Sequence, residues 1–128
     1  MLLKFSVKNY KSFKDEMIFS MEPAAKQKDL NYSVLSQKAG KKAYKGLCSA
    51  VIYGANASGK TNIIGAMEVF KHIILTGNIN NHNVNTPNIT VNRLELIPNS
   101  FISKKEPVEF YIKFIEDNLL IEYKLRAD

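Results

Sequence analysis

One short stretch, YGANASGKTN at residues 53–62, carries residue types and a spacing that could do chemistry. Gly54, Gly59, Lys60 and Thr61 match the pattern G-x-x-x-x-G-K-[ST], in which a loop wraps around the phosphates of a nucleotide. Glycine lets the backbone turn its N–H groups inward without a Cβ in the way, and the lysine supplies positive charge for the β- and γ-phosphates. The stretch therefore predicts a phosphate-binding loop. The alternative is a glycine turn that matches the pattern by coincidence.

Such a loop binds phosphate through consecutive residues, because successive backbone N–H groups point at the phosphate oxygens. The predicted nucleotide-binding residues are Gly54, Ala55, Asn56, Ala57, Ser58, Gly59, Lys60, Thr61 and Asn62. Thr61 opens the next helix, and its hydroxyl is predicted to ligate Mg²⁺. The helix N-terminus adds unpaired N–H groups and the positive end of the helix dipole. ATP and Mg²⁺ are therefore the expected cofactors.

The patterns on either side of the loop predict a strand, loop and helix over residues 47–75. The apolar run LCSAVIY at 47–53 is typical of a short strand that is buried on both faces. A helix follows from about residue 59 to residue 75, and Gly77 is placed to end it. The apolar stripe of this helix consists of Ile63, Met67, Phe70 and Ile74. Strand, glycine loop and helix in this order are the context in which the motif binds phosphate.

The remaining patterns predict paired antiparallel strands within a single domain over residues 1–128. The predicted elements are strands at 2–8 and 16–21, a flexible segment at 23–46, an asparagine-rich loop at 76–92 and a hairpin at 108–126. Asp117 and Asn118 interrupt the alternation of the hairpin, so we expect them to form its two-residue turn.

The composition is that of a cytoplasmic protein of about one domain. The 128 residues carry a formal net charge of +6, and no apolar run reaches the roughly 18 residues of a membrane span. The N-terminus lacks the apolar core of a signal peptide, and the single cysteine, Cys48, cannot form an internal disulfide. We therefore expect neither secretion nor a membrane partner.

The positive charge leaves nucleic acid open as a partner. Much of this charge lies in one segment without a clear period, in Lys26, Lys28, Lys38, Lys41, Lys42 and Lys45. These lysines either contact DNA or RNA or form a solvated charged surface, and the second is the commoner outcome for a charge run.

Three longer segments cover most of the chain: LLKFSVKNYKSF, IYGANASGKTNIIGAM and PVEFYIKFIEDNLLIEYKL. They resemble the opening strand and turn, the phosphate-loop unit and the following antiparallel strands of the ABC-type ATPase heads of the RecF/SMC/OLD group. That group includes bacterial AAA ATPases of phage-defence and abortive-infection systems. The resemblance implies an α/β fold of the P-loop NTPase type, with a mixed sheet that has an antiparallel side. The chain would be the N-terminal lobe only of an ABC-ATPase-like head, and ATP would lie between this head and a second head in a homodimer.

The resemblance also implies that the turn NYKSF lies close to the nucleotide. Asn9, Lys11 and Ser12 thereby become further predicted nucleotide neighbours. For Lys11 the alternative is a solvated lysine in a turn. Asn62 matches the GKTN or GKSN of the group, and its alternative role is to support the start of the helix.

The residues that hydrolysis needs are not identified in this sequence, so the catalytic residues stay unknown. The resemblance implies an aspartate on a buried strand for Mg²⁺, a neighbouring glutamate, a glutamine loop, a signature motif and a switch histidine. FYIKFIED ends its apolar run in Glu116 and Asp117, but Lys113 interrupts that run and Asp117 is better used in the hairpin turn. We therefore expect a fragment of a longer ATPase that binds ATP without efficient hydrolysis.

The leading functional hypothesis is the ATP-binding lobe of a larger ATPase that couples ATP binding and hydrolysis to DNA repair or phage defence. The alternative is a non-catalytic interaction or nucleic-acid-binding module that retains the loop as structure. Saturable, Mg²⁺-dependent binding of ATP separates the two hypotheses.

Overall fold

In the computed structural model, a four-stranded sheet carries an α-helix on one face. The structure describes residues 1–24, 31–56, 58–77, 79, 94–102 and 106–128. In chain order the elements are β1 (Leu2–Lys8), β2 (Met17–Ser20), a 3-10 turn (Asn31–Ser33), β3 (Val34–Ala39), β4 (Lys42–Leu47), α1 (Lys60–Thr76), β5 (Val108–Glu116) and β6 (Leu119–Ala127). The main sheet has the order β2-β1-β5-β6, and β3 pairs with β4 in a second sheet. Every strand pair among the described residues is antiparallel.

Residue alternation gives the main sheet two chemically different faces. On one face Phe5, Val7 and Phe110 are buried together with residues of α1. The opposite face, which we call the outer face, follows the cross-strand register through the alternate residues of β1, β5 and β6. The outer face consists of Lys4, Ser6, Lys8, Glu109, Tyr111, Lys113, Glu122, Lys124 and Arg126.

The core forms where α1 packs on the sheet. The buried residues of α1 are Ala66, Val69, Phe70 and Ile73. The ring of Phe70 lies 5.9 Å from the ring of Phe5 and 5.8 Å from that of Phe110, measured between centroids. Aromatic pairs at this separation contribute about 0.5–1.5 kcal/mol beyond the burial of their area. Phe70 is therefore the central contact between the helix and the sheet.

The predicted apolar stripe of α1 is only partly correct. Phe70 is buried and Met67 packs at the edge of the core, but Ile74 is 45% exposed. The buried stripe instead includes Val69 and Ile73, one position before the predicted residues. Because α1 has apolar residues on more than one side, its periodicity does not say which side faces the sheet.

Two turns have the local geometry that their residues predict. Gly77 ends α1 in the left-handed region, with φ 79°, and its N–H donates to the carbonyl oxygen of Ile73 at 2.8 Å. Asp117 and Asn118 connect β5 to β6 with φ values of 46° and 61°. Two consecutive positive φ values are typical of a type I′ turn, whose twist matches the twist of the two strands that it connects.

Residues 23–46, predicted to be a flexible segment, instead contain most of a β-hairpin, because β3 and β4 pair along their whole length. Backbone hydrogen bonds tie the hairpin to the rest of the chain. The N–H of Gly40 donates to the carbonyl of Asn118 at 3.1 Å, and the N–H of Leu47 donates to that of Met21 at 2.7 Å. Most side chains of β3 and β4 are at least partly exposed, so these strands lack the apolar alternation from which a strand is predicted.

The apolar run at 47–53, predicted to be a strand buried on both faces, is not a strand here. Only Leu47 belongs to one, as the last residue of β4. Val51 is 85% exposed and Tyr53 is 90% exposed. Within the described ranges no strand pairs with residues 49–53, so their backbone groups have no ladder to join. The parallel pairing that would make the main sheet mixed is likewise absent from these ranges.

Some predicted segments fall outside the described residues. Of the asparagine-rich loop at 76–92, only Thr76, Gly77 and residue 79 are described, and Thr76 is the last residue of α1. Lys26 and Lys28 of the lysine-rich segment also lie outside them. Among the helices that are described, none is long and apolar enough to span a membrane.

Replacing Phe70 by alanine tests whether the contact between α1 and the sheet dominates stability. We expect Phe70→Ala to lower the free energy of unfolding by about 3–5 kcal/mol, because a buried aromatic side chain leaves a cavity. The matched control is Leu75→Ala on the same helix, since Leu75 is 72% exposed. It should cost no more than about 0.5 kcal/mol. Urea denaturation followed by circular dichroism measures both, and equal losses would contradict this packing.

Candidate functional site

Gly59 begins α1 in a conformation that glycine adopts readily and other residues avoid. It is the N-cap of the helix, with φ 88° and ψ 11° in the left-handed region. Among the described residues, no side chain caps the first N–H groups of α1. The helix therefore starts with donors that have no intrahelical acceptor and with the positive end of its dipole, a combination that favours an anion.

Lys60 closes the glycine-rich loop by reaching back across it. Its ammonium group donates to the carbonyl oxygens of Gly54 at 2.8 Å and of Ala55 at 2.6 Å. The N–H of Ser58 donates to the same carbonyl of Ala55 at 3.3 Å. A lysine ammonium has three donor hydrogens, so one donor stays available while both carbonyls are bound. The charge is thus held at the loop by two contacts, with capacity left for a third oxygen.

The other predicted residues of the loop are open to solvent. Gly54, Ala55, Asn56, Ser58 and Thr61 are exposed, whereas Ala57 lies outside the described residues. The hydroxyl of Thr61 makes no hydrogen bond to the described part of the chain. These exposed residues are therefore accessible to a ligand.

The turn after β1 packs against the start of α1. The amide of Asn62 donates to the hydroxyl oxygen of Ser12 at 2.8 Å. A Cβ placed on Gly59 would lie only 2.7 Å from that hydroxyl oxygen and 3.2 Å from the ring of Phe13. The structure thus brings together Ser12 and two residues of the predicted loop, and Gly59 has no room for a side chain.

Asn9 holds this turn instead of facing solvent. Its side chain is 1% exposed and donates to the carbonyl of Glu106 at 2.7 Å. The same amide accepts a hydrogen bond from the N–H of Asn99 at 2.9 Å, and the side chain of Asn99 donates to the carbonyl of Lys11 at 2.7 Å. Asn9 is therefore committed to backbone groups. Asn99, which the sequence interpretation missed, has no local signal beyond a Pro-Asn pair typical of a turn.

Tyr10 and Lys11 are the next two residues of this turn, and they have different environments. Tyr10 is 1% exposed, and the pKa of its phenol is raised to about 12, chiefly by burial and secondarily by the charges of Glu95 and Glu68. It is therefore a neutral phenol at pH 7. The ammonium of Lys11 lies 5.6 Å from the centroid of the Tyr10 ring, and its backbone N–H donates to the carbonyl of Ile97 at 2.9 Å. Lys11 thus packs on the aromatic ring of its neighbour.

The acidic residues that the sequence singled out lie at a hairpin tip. Glu116 is the last residue of β5 and Asp117 belongs to the turn, and both are exposed. Within the described part of the chain, no group of three or more His, Cys, Asp or Glu side chains is placed to hold a metal ion. The Mg²⁺ role of the Thr61 hydroxyl stays a prediction from the sequence motif.

Replacing Gly59 by alanine tests the close approach at the start of α1. We expect Gly59→Ala to destabilise the fold more than Gly77→Ala, which has a similar positive φ but no described residue within 4 Å of an added Cβ. The left-handed backbone should cost each variant about 1–2 kcal/mol. The contact with Ser12 should cost Gly59→Ala at least about 1 kcal/mol more. Urea denaturation measures the difference.

The partner in this contact can be removed as a control. Adding Ser12→Ala to Gly59→Ala should recover part of the excess loss, because the oxygen that the new methyl meets is gone. Equal stability of Gly59→Ala and Gly77→Ala, or no recovery, would contradict the packing of the turn on the loop.

Comparison with known proteins connects the loop, α1 and the β5–β6 hairpin to one family. The family described as "AAA domain, putative AbiEii toxin, Type IV TA system" matches residues 49–128. No curated protein and no solved structure matches the chain. The matched range is more than half of the 128 residues and includes the whole glycine-rich loop. The chain therefore belongs to this family of AAA domains.

Proposed function

We propose that the chain is the ATP-binding lobe of a larger ATPase and that residues 54–62 bind the phosphates of ATP. One observation carries the proposal: Lys60 holds its ammonium group across the loop, beside a helix that begins at an uncapped, left-handed glycine. Backbone donors, a helix dipole and a fixed cation are the parts that bind a polyphosphate. Membership of the AAA-domain family supports nucleotide use.

The residues of the loop fit Mg²⁺–ATP, and they all come from one short stretch of the chain. Lys60 would meet the phosphates and the exposed hydroxyl of Thr61 would ligate the metal ion, which neutralises phosphate charge when it is bound. Ser12 and Asn62 would position the loop through their hydrogen bond. Asn9 would act indirectly by holding the turn that carries Ser12.

The finer proposal is an ABC-like head of the RecF/SMC/OLD type that works in DNA repair or phage defence with a second, identical head. The resemblance of three segments supports it, as does the contact between the NYKSF turn and the loop. The exposure of Val51 and Tyr53 supports a lobe that other strands complete, because an apolar run needs partners on both sides to be buried. In a cell this lobe would work in the cytoplasm.

A non-catalytic interaction module is the second candidate. The same exposed residues, Val51 and Tyr53, favour it, since they would suit a partner surface whether or not the loop binds nucleotide. A folded chain that binds no ATP would decide for this candidate.

Replacing Lys60 by alanine tests the phosphate site. We expect the affinity for Mg²⁺–ATP to fall roughly 10- to 100-fold, the value of a hydrogen bond to a charged group. Isothermal titration or a fluorescent ATP analogue measures it. Lys71→Ala is the matched control, because it removes the same charge from the far end of the same helix. Unchanged affinity in Lys60→Ala, with Lys71→Ala as reference, would refute the assignment.

Thr61→Ala separates the metal from the phosphates at the same site. It leaves the Lys60 contacts to Gly54 and Ala55 intact, so ATP affinity in EDTA should stay within about twofold. The gain in affinity that Mg²⁺ brings to the parent chain should largely disappear. The same gain in parent and variant would show that Thr61 does not bind the metal.

Turnover tests how far the isolated chain goes beyond binding. We expect saturable ATP binding with phosphate release no faster than the protein-free background. Phosphoryl transfer depends on positioned charges around the transferred group, and no carboxylate cluster accompanies the loop in the described residues. A coupled phosphate assay at saturating ATP measures release. Rapid release that vanishes in Lys60→Ala would be the contrary result, and substitutions of Glu116 and Asp117 would then locate the carboxylate.

A further inference from the structure

The outer face of the main sheet lies opposite α1 and is not part of the candidate nucleotide site. All of its residues except Lys113 line an open groove of about 420 Å³, together with Glu16, Phe110 and Leu125. The groove volume falls within the range of small-ligand sites. The basic residues of the groove are Lys4, Lys8, Lys124 and Arg126, and its acidic residues are Glu16, Glu109 and Glu122.

The acidic groups of this face are engaged with partners on the same surface. Glu16 accepts a hydrogen bond from the hydroxyl of Ser6 at 2.6 Å. Glu109 lies 3.1 Å from Arg126 in an ion pair. Glu122 lies 3.7 Å from the ammonium of Lys113 in an ion pair. Two of these carboxylates therefore neutralise Lys113 and Arg126.

Three lysines of the face are left without an ion pair. Among the described residues, Lys4, Lys8 and Lys124 pair with no carboxylate. Two of them flank one aromatic ring: the ammonium groups of Lys4 and Lys124 lie 5.6 and 6.0 Å from the centroid of Tyr111. The register places Tyr111 on the central part of the face, opposite Ser6 on β1 and Lys124 on β6. The Tyr111 ring thus lies beside two ammonium groups that have no ion-pair partner among the described residues.

We propose that the outer face binds single-stranded nucleic acid, with a base stacked on Tyr111 and phosphates on Lys4, Lys8 and Lys124. Single-strand sites in proteins combine a positively charged track with aromatic rings on which unstacked bases lie. The present lysine–ring contacts are weak, about 0.5–1 kcal/mol at an exposed site. A base that covers the ring therefore displaces little, while the freed ammonium groups gain phosphates and release counterions.

The geometry favours a single strand over a duplex. A base inside a double helix has both faces stacked and cannot lie on Tyr111, whereas an unpaired base can. The hairpin lysines form a different kind of surface. Lys38 and Lys41 are exposed near the tip of the hairpin and contact no aromatic ring of the described residues. Lys42 lies 5.1 Å from the ring centroid of Tyr44, but the other lysine beside that ring is Lys113, which is ion-paired with Glu122. The proposal therefore places nucleic acid on the sheet and not on the lysine-rich segment.

The test is fluorescence anisotropy of the full chain with a labelled oligothymidylate of about 12 nucleotides, without ATP. We expect saturable binding whose logarithmic salt dependence has a slope of roughly −2, near −0.7 for each of three phosphates. The double variant Lys4→Glu, Lys124→Glu should bind at least about tenfold more weakly. Lys38→Glu, Lys41→Glu makes the same change in net charge and should lose less than about threefold.

Two further variants separate stacking from charge. Tyr111→Leu should weaken binding at least about fivefold without changing the salt slope, since it removes only the stacking surface. Tyr32→Leu is its control, because Tyr32 is 82% exposed and lies on another element. Lys60→Ala should leave oligonucleotide affinity unchanged, which distinguishes this face from the phosphate loop. If the double variant does not fold, Lys124→Glu alone takes its place, since Lys124 is exposed on an edge strand.

Four results would overturn the proposal. They are no binding at low salt by the folded parent, equal losses in the two lysine pairs, no loss in Tyr111→Leu, and equally tight binding of a duplex of the same length. The first result would show that the face does not bind single-stranded nucleic acid. The second would show that only net charge matters, and either of the last two would show that no base stacks on Tyr111.

Discussion

The close approach between the turn after β1 and the N-terminus of α1 is the constraint on which the candidate site depends. Gly59 has a positive φ and no space for a Cβ, because Ser12 and Phe13 fill that space. The side chains of Asn9 and Asn99 hold this turn in place, because they form hydrogen bonds with backbone groups from distant parts of the chain. The helix end of the glycine-rich loop is thereby fixed relative to the sheet by buried amide hydrogen bonds, whose loss would leave unsatisfied polar groups.

The two ends of the loop are therefore held differently, because only one of them continues into an element of the core. Its C-terminal arm enters α1, and α1 is anchored in the core by Phe70. Its N-terminal arm follows residues 49–53, which join no strand ladder within the described residues. Lys60 links the two arms through the carbonyls of Gly54 and Ala55. Such an arrangement is suited to hold a polyphosphate, because phosphate binding uses local backbone donors, whereas catalysis needs charges supplied from elsewhere in a fold.

The main sheet separates two kinds of chemistry by the simple alternation of its strands. One set of side chains forms the apolar core beneath α1, and the other set carries lysines and a tyrosine on the outer face. Apolar burial on the first face stabilises the strands, so the second face is free to carry unpaired charge at little cost to folding. The candidate nucleotide site at the helix start and the charged sheet face can therefore coexist in a small domain without sharing residues.

Several features could be predicted from sequence because they depend on neighbouring residues. The bounds of α1, its end at Gly77, and the turn at Asp117 and Asn118 follow from period and from glycine or Asn/Asp conformational preferences. The spacing of Gly54, Gly59, Lys60 and Thr61 is likewise a property of a short stretch of sequence. The sequence determined the chemistry that the loop can offer, because backbone donors and one cation need only a short stretch of chain.

Only the tertiary structure decided what those elements contact. It selected the buried side of α1, which carries apolar residues on more than one side, and it paired β3 with β4 although their side chains show little alternation. It also left Val51 and Tyr53 exposed where an apolar run predicts burial. Asn9 and Asn99 meet across 90 positions of the chain. Pairing, burial and such long-range hydrogen bonds depend on which distant residues arrive at the same place, and no local period of the sequence contains that information.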